Sequence, residues 1–197
     1  GALENLASAR TFIFDKTGTV TLGTPDVDSV FSYKGTDDGV LSIAASLDQL
    51  SAHVLAQSLV AHAKARKVAL ETPSGFKEDF GNGVRGTIGG KEYVFGKLAF
   101  VSRFAKDIPL DVEHTLAAYR DEGKAIVYLA DAQHLLGYVV FRDRIRTDSR
   151  ALFDGLKNDG VSRVALLSGD RKHVAGHVAA QIGIREVFAE SLPDDKL

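Results

Sequence analysis

The chain has 197 residues, of which 45% are hydrophobic and 25% charged, as expected for a folded protein of one or two domains. Its net charge of −2 provides no basic surface for nucleic acid, so a nucleic-acid partner is not expected. The absence of cysteine excludes disulfides and thiolate metal sites within the chain, and no run approaches the ~18 apolar residues of a membrane-spanning helix.

The first predicted element is a strand over about residues 11–15, an apolar run that ends abruptly at Asp15. A polar stretch over about residues 23–38 follows it. Apolar residues at helical spacing then predict one amphipathic helix over about residues 40–66. The N-terminal part is therefore predicted to run from strand to loop to a long helix.

The middle of the chain is predicted to be mainly antiparallel. Two short apolar runs, residues 84–88 and 91–95, are joined by Gly89-Gly90. They predict a hairpin, because a tight turn between two strands favours glycine. The other elements predicted here are a helix over about 110–121 and strands over about 125–130 and 135–141.

The pattern changes after Arg142 to an alternation of helices and strands. Gly160 and Gly183 each follow a predicted helix, in the position where glycine commonly ends one. Because strands joined by helical crossovers are parallel, this part predicts a parallel sheet. Its predicted elements are a helix over about 148–159, a strand over 164–167, a helix over 171–182 and a strand over 187–189.

Two domains follow from this order of elements. The strand that ends at Asp15 has too few neighbours for a sheet of its own, so we expect it to join the C-terminal parallel strands. Residues 1–23 and 139–197 then form one discontinuous α/β domain, and residues 24–138 form an inserted α+β domain of antiparallel strands with flanking helices. Since position 1 is not methionine and the chain stops at residues 193–197, in the middle of what looks like a functional segment, we expect an excised piece of a longer protein. A complete processed protein is the less favoured alternative.

Asp15 is the strongest candidate for a nucleophile. It lies at the predicted carboxyl end of a buried strand, the edge at which open α/β sheets bind ligands. A lysine, two threonines and a glycine follow in residues 16–19, and a cation, hydroxyls and free backbone amides suit a dianionic phosphoryl group. We therefore expect the Asp15 carboxylate to attack phosphorus and form an aspartyl phosphate. The alternative is a strand-end aspartate that caps a turn.

Two further polar residues follow predicted strands. Ser168 comes after an apolar strand and before a helix, where a hydroxyl and backbone amides hold phosphate oxygens. Lys196 lies beyond the last strand, and its ammonium can neutralise charge on a transferring group. Taken singly, Ser168 is better explained as a helix cap and Lys196 as a solvated charge. Their order after Asp15 favours a shared phosphoryl-transfer site.

The string Asp-Lys-Thr-Gly-Thr at residues 15–19 resembles the phosphorylation motif of P-type ATPases, pumps that form an aspartyl phosphate. The order of the three strand-end residues is similar to that in the haloacid-dehalogenase-like fold, to which the phosphorylation domain of those pumps belongs. The resemblance implies Mg²⁺ bound by the Asp15 carboxylate and the Thr17 carbonyl. The catalytic residues that it implies are Asp15, Lys16, Thr17, Ser168 and Lys196.

One part of that family's site has no match in the chain. The family carries a Gly-Asp-Gly-x-Asn-Asp loop shortly after the lysine that Lys196 matches, and its aspartate helps to hold Mg²⁺. With one carboxylate ligand in place instead of two, we expect weak Mg²⁺ binding and little turnover by the isolated chain.

The insert resembles the nucleotide-binding domain of heavy-metal-transporting P-type ATPases. Residues 51–56 are similar to a Ser-Glu-His-Pro-Leu-Ala motif of that class, and residues 81–84 to a Gly-x-Gly-Val loop. Residues 96–97 are similar to a later Gly-Asn pair, and residues 143–146 to an Asp-Pro-x-Arg hinge. The resemblance implies ATP as the nucleotide, and the residues that it implies at the site are His53, Gly81, Gly83, Gly96 and Asp143.

The chain departs from that pattern at several positions. Ala52 stands where the family has a glutamate that contacts adenine, which predicts weak nucleotide binding or a divergent subgroup. His53 taken alone is equally well explained as an ordinary helix histidine, and a lone pair of glycines as hairpin residues. The other departures are Val54 and Arg144 in place of prolines and Arg171 in place of an asparagine.

Together the resemblances imply the cytosolic ATP-binding and aspartyl-phosphorylation unit of an ATP-driven transition-metal cation pump. The implied partners are ATP, the actuator and membrane domains of the parent pump, and a transported cation bound outside this chain. The implied location is the cytosolic face of a membrane. Two alternatives stay open: a soluble haloacid-dehalogenase-like phosphatase and a degenerate nucleotide-binding regulatory module. The phosphatase is disfavoured because such enzymes usually carry a second aspartate where this chain has Thr17.

Overall fold

The structure is a computed structural model that describes residues 8–109 and 112–191. In chain order, its strands are β1 (Thr11–Asp15), β2 (Asp26–Ser32), β3 (Ser74–Asp79), β4 (Gly83–Ile88), β5 (Lys91–Gly96), β6 (Ala125–Asp131), β7 (Leu135–Arg142), β8 (Arg163–Leu167) and β9 (Glu186–Phe188). Its helices are α1 (Asp37–Asp48), α2 (Val54–Ala65), α3 (Leu98–Val101), α4 (Val112–Thr115), α5 (Ala117–Asp121), α6 (Ser149–Asn158) and α7 (Lys172–Ile182). None of these helices is long and apolar enough to span a bilayer.

The described residues form two compact units. The first comprises residues 8–23, 121–123 and 143–191, and the second comprises residues 24–109, 112–120 and 124–142. The predicted end of the insert after residue 138 falls inside β7, which stays paired with its neighbours up to Arg142. The second unit therefore extends four residues further than the sequence pattern predicts.

The first unit contains a parallel sheet in the order β1-β8-β9. α7 connects β8 to β9, so the predicted crossover between parallel strands is confirmed. The core is apolar, with Leu166 fully buried and the rings of Phe14 and Phe153 packed edge to face at 4.9 Å between centroids. α7 ends at Gly183, whose φ of 77° lies in the left-handed region that favours glycine.

The second unit contains an antiparallel sheet in the order β2-β7-β6-β5-β4-β3. Successive residues of β7 pack into different apolar clusters, as the two-residue repeat of a strand requires. Val139 and Phe141 pack in the cluster that contains residues of α1 and α2, whereas Tyr138 and Val140 pack in the cluster that contains Phe100 of α3. Both faces of the sheet are therefore covered, and the predicted mainly antiparallel region is confirmed.

The predicted single helix over residues 40–66 is wrong, because the chain breaks between α1 and α2. His53 caps α2, since its Nδ1 accepts a hydrogen bond from the Leu55 N–H at 3.2 Å. Ser51 Oγ accepts from the His53 N–H at 3.2 Å. These side chains satisfy backbone donors that a continuous helix would bond internally, so the break is stabilised locally. The predicted helix over 110–121 is likewise divided, into α4 and α5.

The sequence pattern does not predict β2 and β3, the two edge strands of the antiparallel sheet. The side chain of Asp28 in β2 is polar but only 16% exposed. It pairs with Lys124 at 2.9 Å and with Arg142 at 3.2 Å. An edge strand that buries an ion-paired carboxylate lacks the apolar alternation from which strands are predicted.

Candidate functional site

Two of the predicted catalytic residues lie together at the carboxyl edge of the parallel sheet. Asp15 is the last residue of β1 and is in register with Leu167 of β8, so Ser168 follows directly on the neighbouring strand. Asp15 is partly buried and Ser168 is 1% exposed. Of the other three, Lys16 and Thr17 follow Asp15 directly in the chain, and Lys196 lies outside the described residues. The register brings a carboxylate and a hydroxyl from distant parts of the sequence to the edge at which such sheets bind ligands.

A local turn holds Ser168 at this edge. Its Oγ accepts a hydrogen bond from the Asp170 N–H at 3.1 Å and donates one to the Asp170 carboxylate at 3.1 Å. Its backbone N–H donates to the Phe188 carbonyl at 2.8 Å, which ties the turn to β9. The N-cap residue of α7 is Arg171, without a side-chain cap bond. Ser168 is therefore not the helix cap that its position in the sequence suggests.

A tight turn, Lys16–Val20, follows Asp15 directly. The Thr21 N–H closes it by donating to the Lys16 carbonyl at 3.0 Å. Gly18 has φ of 77°, which side chains rarely adopt, and Thr17, Gly18 and Thr19 are exposed. The turn therefore presents hydroxyls and accessible backbone next to the Asp15 carboxylate, a surface that suits an anion.

Lys16 lies buried between two carboxylates. Lys16 is 7% exposed. Its Nζ forms an ion pair with Asp170 Oδ2 at 2.9 Å and a second ion pair with Asp143 Oδ2. Burial by itself would lower the pKa of Lys16. The hydrogen bonds that Lys16 donates to Asp143 and Asp170, together with the negative charges of these two residues, outweigh burial and raise the pKa above its ordinary value. Asp143, which the resemblance assigns to nucleotide, thus lies in the first unit beside Lys16. The other predicted nucleotide residues lie in the second unit.

Removing the Lys16 charge should destabilise the first unit. In Lys16→Met the partly buried carboxylates of Asp143 and Asp170 would lose their shared cation, with an expected loss of about 2 kcal/mol in the free energy of unfolding. Urea unfolding followed by circular dichroism measures this loss. Lys172→Met changes an exposed lysine of the same unit and should stay within about 0.5 kcal/mol of the unmodified chain. Equal effects of the two substitutions would contradict the pairing.

The second unit contains a cavity where four predicted nucleotide residues meet. Its volume is about 140 Å³, close to the ~150 Å³ that accommodates a benzene ring in an engineered protein cavity. The cavity therefore has room for a planar ring system. The predicted residues that line it are His53, Gly81, Gly83 and Gly96.

Gly83 and Gly96 lack side chains for a reason that the sequence does not reveal. They pair with each other across β4 and β5. A Cβ on Gly83 would lie 2.5 Å from the Phe95 carbonyl oxygen and 2.8 Å from the Phe100 ring, and one on Gly96 would lie 2.4 Å from the Asn82 carbonyl oxygen. Both glycines are thus required for close strand packing whether or not a ligand binds. Gly81 differs, since it has φ of 75° and open space around it.

Two acidic residues of the cavity are not predicted from the sequence, because the family pattern places its carboxylate at position 52, where this chain has Ala52. Asp48 at the end of α1 is 7% exposed, and Glu78 of β3 accepts a hydrogen bond from Ser51 Oγ at 2.7 Å. Burial, and then the negative charge of Glu78, raise the pKa of Asp48 to about 7. A signal for Asp48 exists in the sequence, because an aspartate lies within the apolar face of a predicted helix just before His53.

The raised pKa of Asp48 predicts that stability falls as the pH rises. The folded chain keeps this proton up to about pH 7, whereas the unfolded chain releases it near its ordinary pKa of 3.8, so the folded state binds more protons between these values. The free energy of unfolding should therefore decrease by about 2–3 kcal/mol between about pH 5 and pH 8. Asp48→Asn should remove this decrease. Urea unfolding of both proteins across the range measures it, and parallel pH profiles would contradict the assignment.

Comparison with known proteins agrees with the resemblance seen in the sequence. Residues 9–197 match the sequence profile of a haloacid dehalogenase-like hydrolase family. A copper-exporting P-type ATPase B of Archaeoglobus fulgidus is 31% identical over 195 residues, which are 99% of this chain and 28% of that protein. A zinc-transporting ATPase of Bacillus subtilis is 31% identical over 201 residues, 99% of this chain and 30% of that protein.

Solved structures give the same result. A zinc-transporting PIB-type ATPase in its E2·Pi state superposes with a TM-score of 0.85 at 28% identity, over 99% of this chain and 31% of that one. The catalytic domain of the CPx-ATPase CopB-B superposes with a TM-score of 0.71 at 27% identity, over 99% of this chain and 66% of that one. The chain thus spans about a quarter to a third of the length of the curated relatives given above. The predicted resemblance to heavy-metal P-type ATPases is confirmed.

Proposed function

The chain belongs to the haloacid dehalogenase-like hydrolase family, and we propose that it is the ATP-binding and aspartyl-phosphorylation unit of a transition-metal-transporting P-type ATPase. The observation that carries the proposal is the register of β1 with β8, which aligns Asp15 beside Ser168 at the ligand-binding edge of the sheet. The relatives named as copper, silver, zinc and cadmium transporters support the class of cargo.

In the proposed reaction, an oxygen of the Asp15 carboxylate attacks the γ-phosphorus of ATP. A bond from that oxygen to phosphorus forms while the bond from phosphorus to the bridging oxygen of ADP breaks, which leaves an aspartyl phosphate. Water later hydrolyses the acyl phosphate and restores the carboxylate. The exposed backbone of the turn after Asp15 is suited to hold phosphate oxygens. Ser168 Oγ can do the same once its hydroxyl releases the Asp170 carboxylate, to which it donates at 3.1 Å. Lys196 is proposed to neutralise charge on the transferring group, as the resemblance implies.

The proposed role of Lys16 is positioning. With its ammonium between Asp143 and Asp170, it ties the turn after β1 to the loop after β8. That link holds Thr17 and Ser168 on neighbouring strand ends, where a phosphoryl group would contact both. Phosphoryl transfer depends mainly on such positioning and on charge neutralisation.

Mg²⁺ is proposed at the same edge, held by the Asp15 carboxylate and the Thr17 carbonyl. Two hard oxygen donors fit this ion, which usually keeps several waters and binds through one or two carboxylates and phosphate oxygens. The described part of the chain contains no group of three acidic or histidine side chains that could hold a metal ion. Asp15 and Thr17 are therefore the only protein ligands that we propose for Mg²⁺. When bound, the ion neutralises charge on the phosphoryl oxygens.

The cavity of the second unit is proposed to take the nucleotide. His53, Gly81, Gly83 and Gly96 line it, its volume suits a planar base, and Lys97 adds a cation at its margin. In the CopB-B catalytic domain, conformational changes occur upon nucleotide binding. The remaining domains of a full pump, including its actuator and membrane domains, are proposed partners, with the transported cation bound outside this chain and this unit on the cytosolic face.

The test is phosphorylation of the full-length pump that contains this chain. With γ-labelled ATP and Mg²⁺, we expect acid-stable label that hydroxylamine removes, because it cleaves acyl phosphates, and that peptide mapping assigns to Asp15. Added ADP should discharge part of it. Label that maps elsewhere, or none at all, would refute the proposal. Label that water removes at once, without response to ADP, would instead favour the soluble phosphatase.

A further inference from the structure

A second concave site of the second unit, called here the basic groove, has no part in the proposed phosphoryl transfer. Its volume is about 600 Å³, within the ~300–1,000 Å³ of sites that bind small organic molecules. Three cations, Lys77, Arg85 and Arg103, line it together with the rings of Phe80 and Phe104. The groove therefore combines positive charge with aromatic surface.

The basic groove lies on the other face of the antiparallel sheet from the nucleotide cavity. In β4, Val84 packs in the apolar cluster that contains residues of α1 and α2, and it lines the cavity. Arg85 is the next residue of that strand, so its side chain lies on the opposite face, where Phe100 of α3 also lines the groove. A ligand in the groove would therefore not occupy the space of a nucleotide in the cavity.

Lys77 and Arg85 bring two positive charges side by side. They lie directly opposite each other across β3 and β4, and like charges in that position destabilise a sheet. Among the residues that the structure describes, Lys77 has no ion pair, and the only ion pair of Arg85 is a 3.9 Å contact with Glu92. Because the chain leaves this repulsion largely uncompensated, an anion bound in the groove would relieve it.

Arg103, in the turn after α3, adds a third positive charge. It is exposed and has no ion pair in the described part of the chain. The two acidic residues that line the groove are bonded to other groups, since Glu78 accepts a hydrogen bond from Ser51 Oγ and Asp79 accepts one from Asn82. Guanidinium and ammonium groups are the donors that recognise phosphate oxygens, so the three cations favour a phosphate.

The aromatic rings favour a ligand that also has a flat surface. The guanidinium of Arg85 lies 5.4 Å from the centroid of the Phe104 ring, a cation–π contact that restricts the orientation of the guanidinium. Phe80, directly after β3, is 86% exposed, although burial of so large an apolar ring is favourable. A flat ring stacked on Phe80 would cover it while a phosphate on the same ligand contacts the cations.

We propose that the basic groove binds an organic phosphate with a flat ring, the phosphate bonded to Lys77, Arg85 and Arg103 and the ring stacked on Phe80. None of these four residues lines the nucleotide cavity, so the inference does not depend on the proposed function. Nucleoside phosphates and flavin phosphates share this chemistry, and they are the two sources that the experiment compares.

The test is an NMR titration of the whole 197-residue chain with ADP and, separately, with flavin mononucleotide. We expect at least one of them to give saturable shifts in the signals of Arg85, Arg103 and Phe104. The ligand that binds the groove more tightly identifies the source. Shifts of the His53 signals report binding in the nucleotide cavity separately, because that residue lines the cavity and not the groove.

Three variants assign the contacts. Arg103→Met removes an exposed, unpaired cation without disturbing the core, and it should weaken binding in the groove about tenfold or more. Phe80→Ala should weaken the binding of the ring-bearing ligand about tenfold but leave the binding of inorganic pyrophosphate unchanged, because pyrophosphate has no ring to stack. The matched control is Lys34→Met, an exposed lysine of the same unit outside the groove, which should bind as the unmodified chain does.

The outcomes separate the inference from the proposed function. Saturable shifts at His53 without shifts in the groove would overturn the inference and leave the nucleotide cavity intact. Shifts in the groove alone would support the inference and count against the cavity. Equal weakening by Arg103→Met and Lys34→Met would reduce the groove to general charge attraction and overturn the proposal. Tighter binding of a glutamate-rich peptide than of either phosphate would also overturn it, and would assign the groove to an acidic protein segment.

Discussion

Replacing Asp15 with asparagine is expected to abolish the phosphoenzyme, with a loss of at least about a thousandfold in label from ATP. An amide oxygen is a poor nucleophile, so no acyl phosphate forms. Asparagine has nearly the shape of aspartate, and β1 should keep its pairing with β8. The measurement is acid-stable label in the full-length pump after a brief incubation with γ-labelled ATP.

The matched control is Asp154→Asn, which changes an exposed aspartate on α6 of the same unit. Among the residues that the structure describes, its carboxylate forms an ion pair only with Lys157, at 3.9 Å. This variant should keep normal label, since a solvated pair of that kind contributes little. Equal label in Asp15→Asn and Asp154→Asn would mean that phosphate is carried by another residue.

Replacing Gly83 with valine is expected to cost the second unit about 3 kcal/mol or more, or to prevent its folding. The new Cβ would lie 2.5 Å from the Phe95 carbonyl oxygen and 2.7 Å from the Gly96 Cα, and backbone atoms of a paired strand cannot move without breaking the pairing of β4 with β5. The Phe100 ring at 2.8 Å blocks the remaining direction. Urea unfolding followed by circular dichroism measures the loss.

Gly81→Ala is the matched control for this substitution. Its Cβ meets no atom within 4 Å, but its φ of 75° costs about 1 kcal/mol in a residue with a side chain. Nucleotide binding lost in Gly83→Val would therefore report a damaged sheet, whereas binding lost in Gly81→Ala would report the cavity itself. If both variants unfold at the same urea concentration, the close packing of β4 on β5 does not limit stability.

For Gly83 and Gly81 the sequence predicts the shared location of the two residues but not the reason why each is glycine. The motif locates both glycines at one site, and the structure agrees that both line the cavity. The reason for each glycine differs, because one is required by strand packing and the other by a backbone angle. Spacing in the sequence contains neither of these reasons.

The same limit explains the missed elements. The break between α1 and α2 depends on hydrogen bonds of Ser51 and His53 to nearby backbone donors, which do not interrupt the apolar repeat. The edge strand β2 pairs with β7, and its Asp28 forms ion pairs with Lys124 and Arg142, which lie much later in the chain. Local patterns miss both, because the stabilising groups are polar and, in β2, distant in the chain.

The order of apolar and polar residues by itself determined the parallel sheet, the antiparallel insert and the position of Asp15 at a strand end, because strand and helix periods are local properties. Only the tertiary structure decided which charges meet. Lys16 pairs with Asp143, 127 residues away, and Asp48 acquires its raised pKa from burial and from Glu78 on another element. Desolvation depends on burial, and Coulomb interaction depends on distance in space. Neither burial nor distance in space can be predicted from the spacing of residues along the chain.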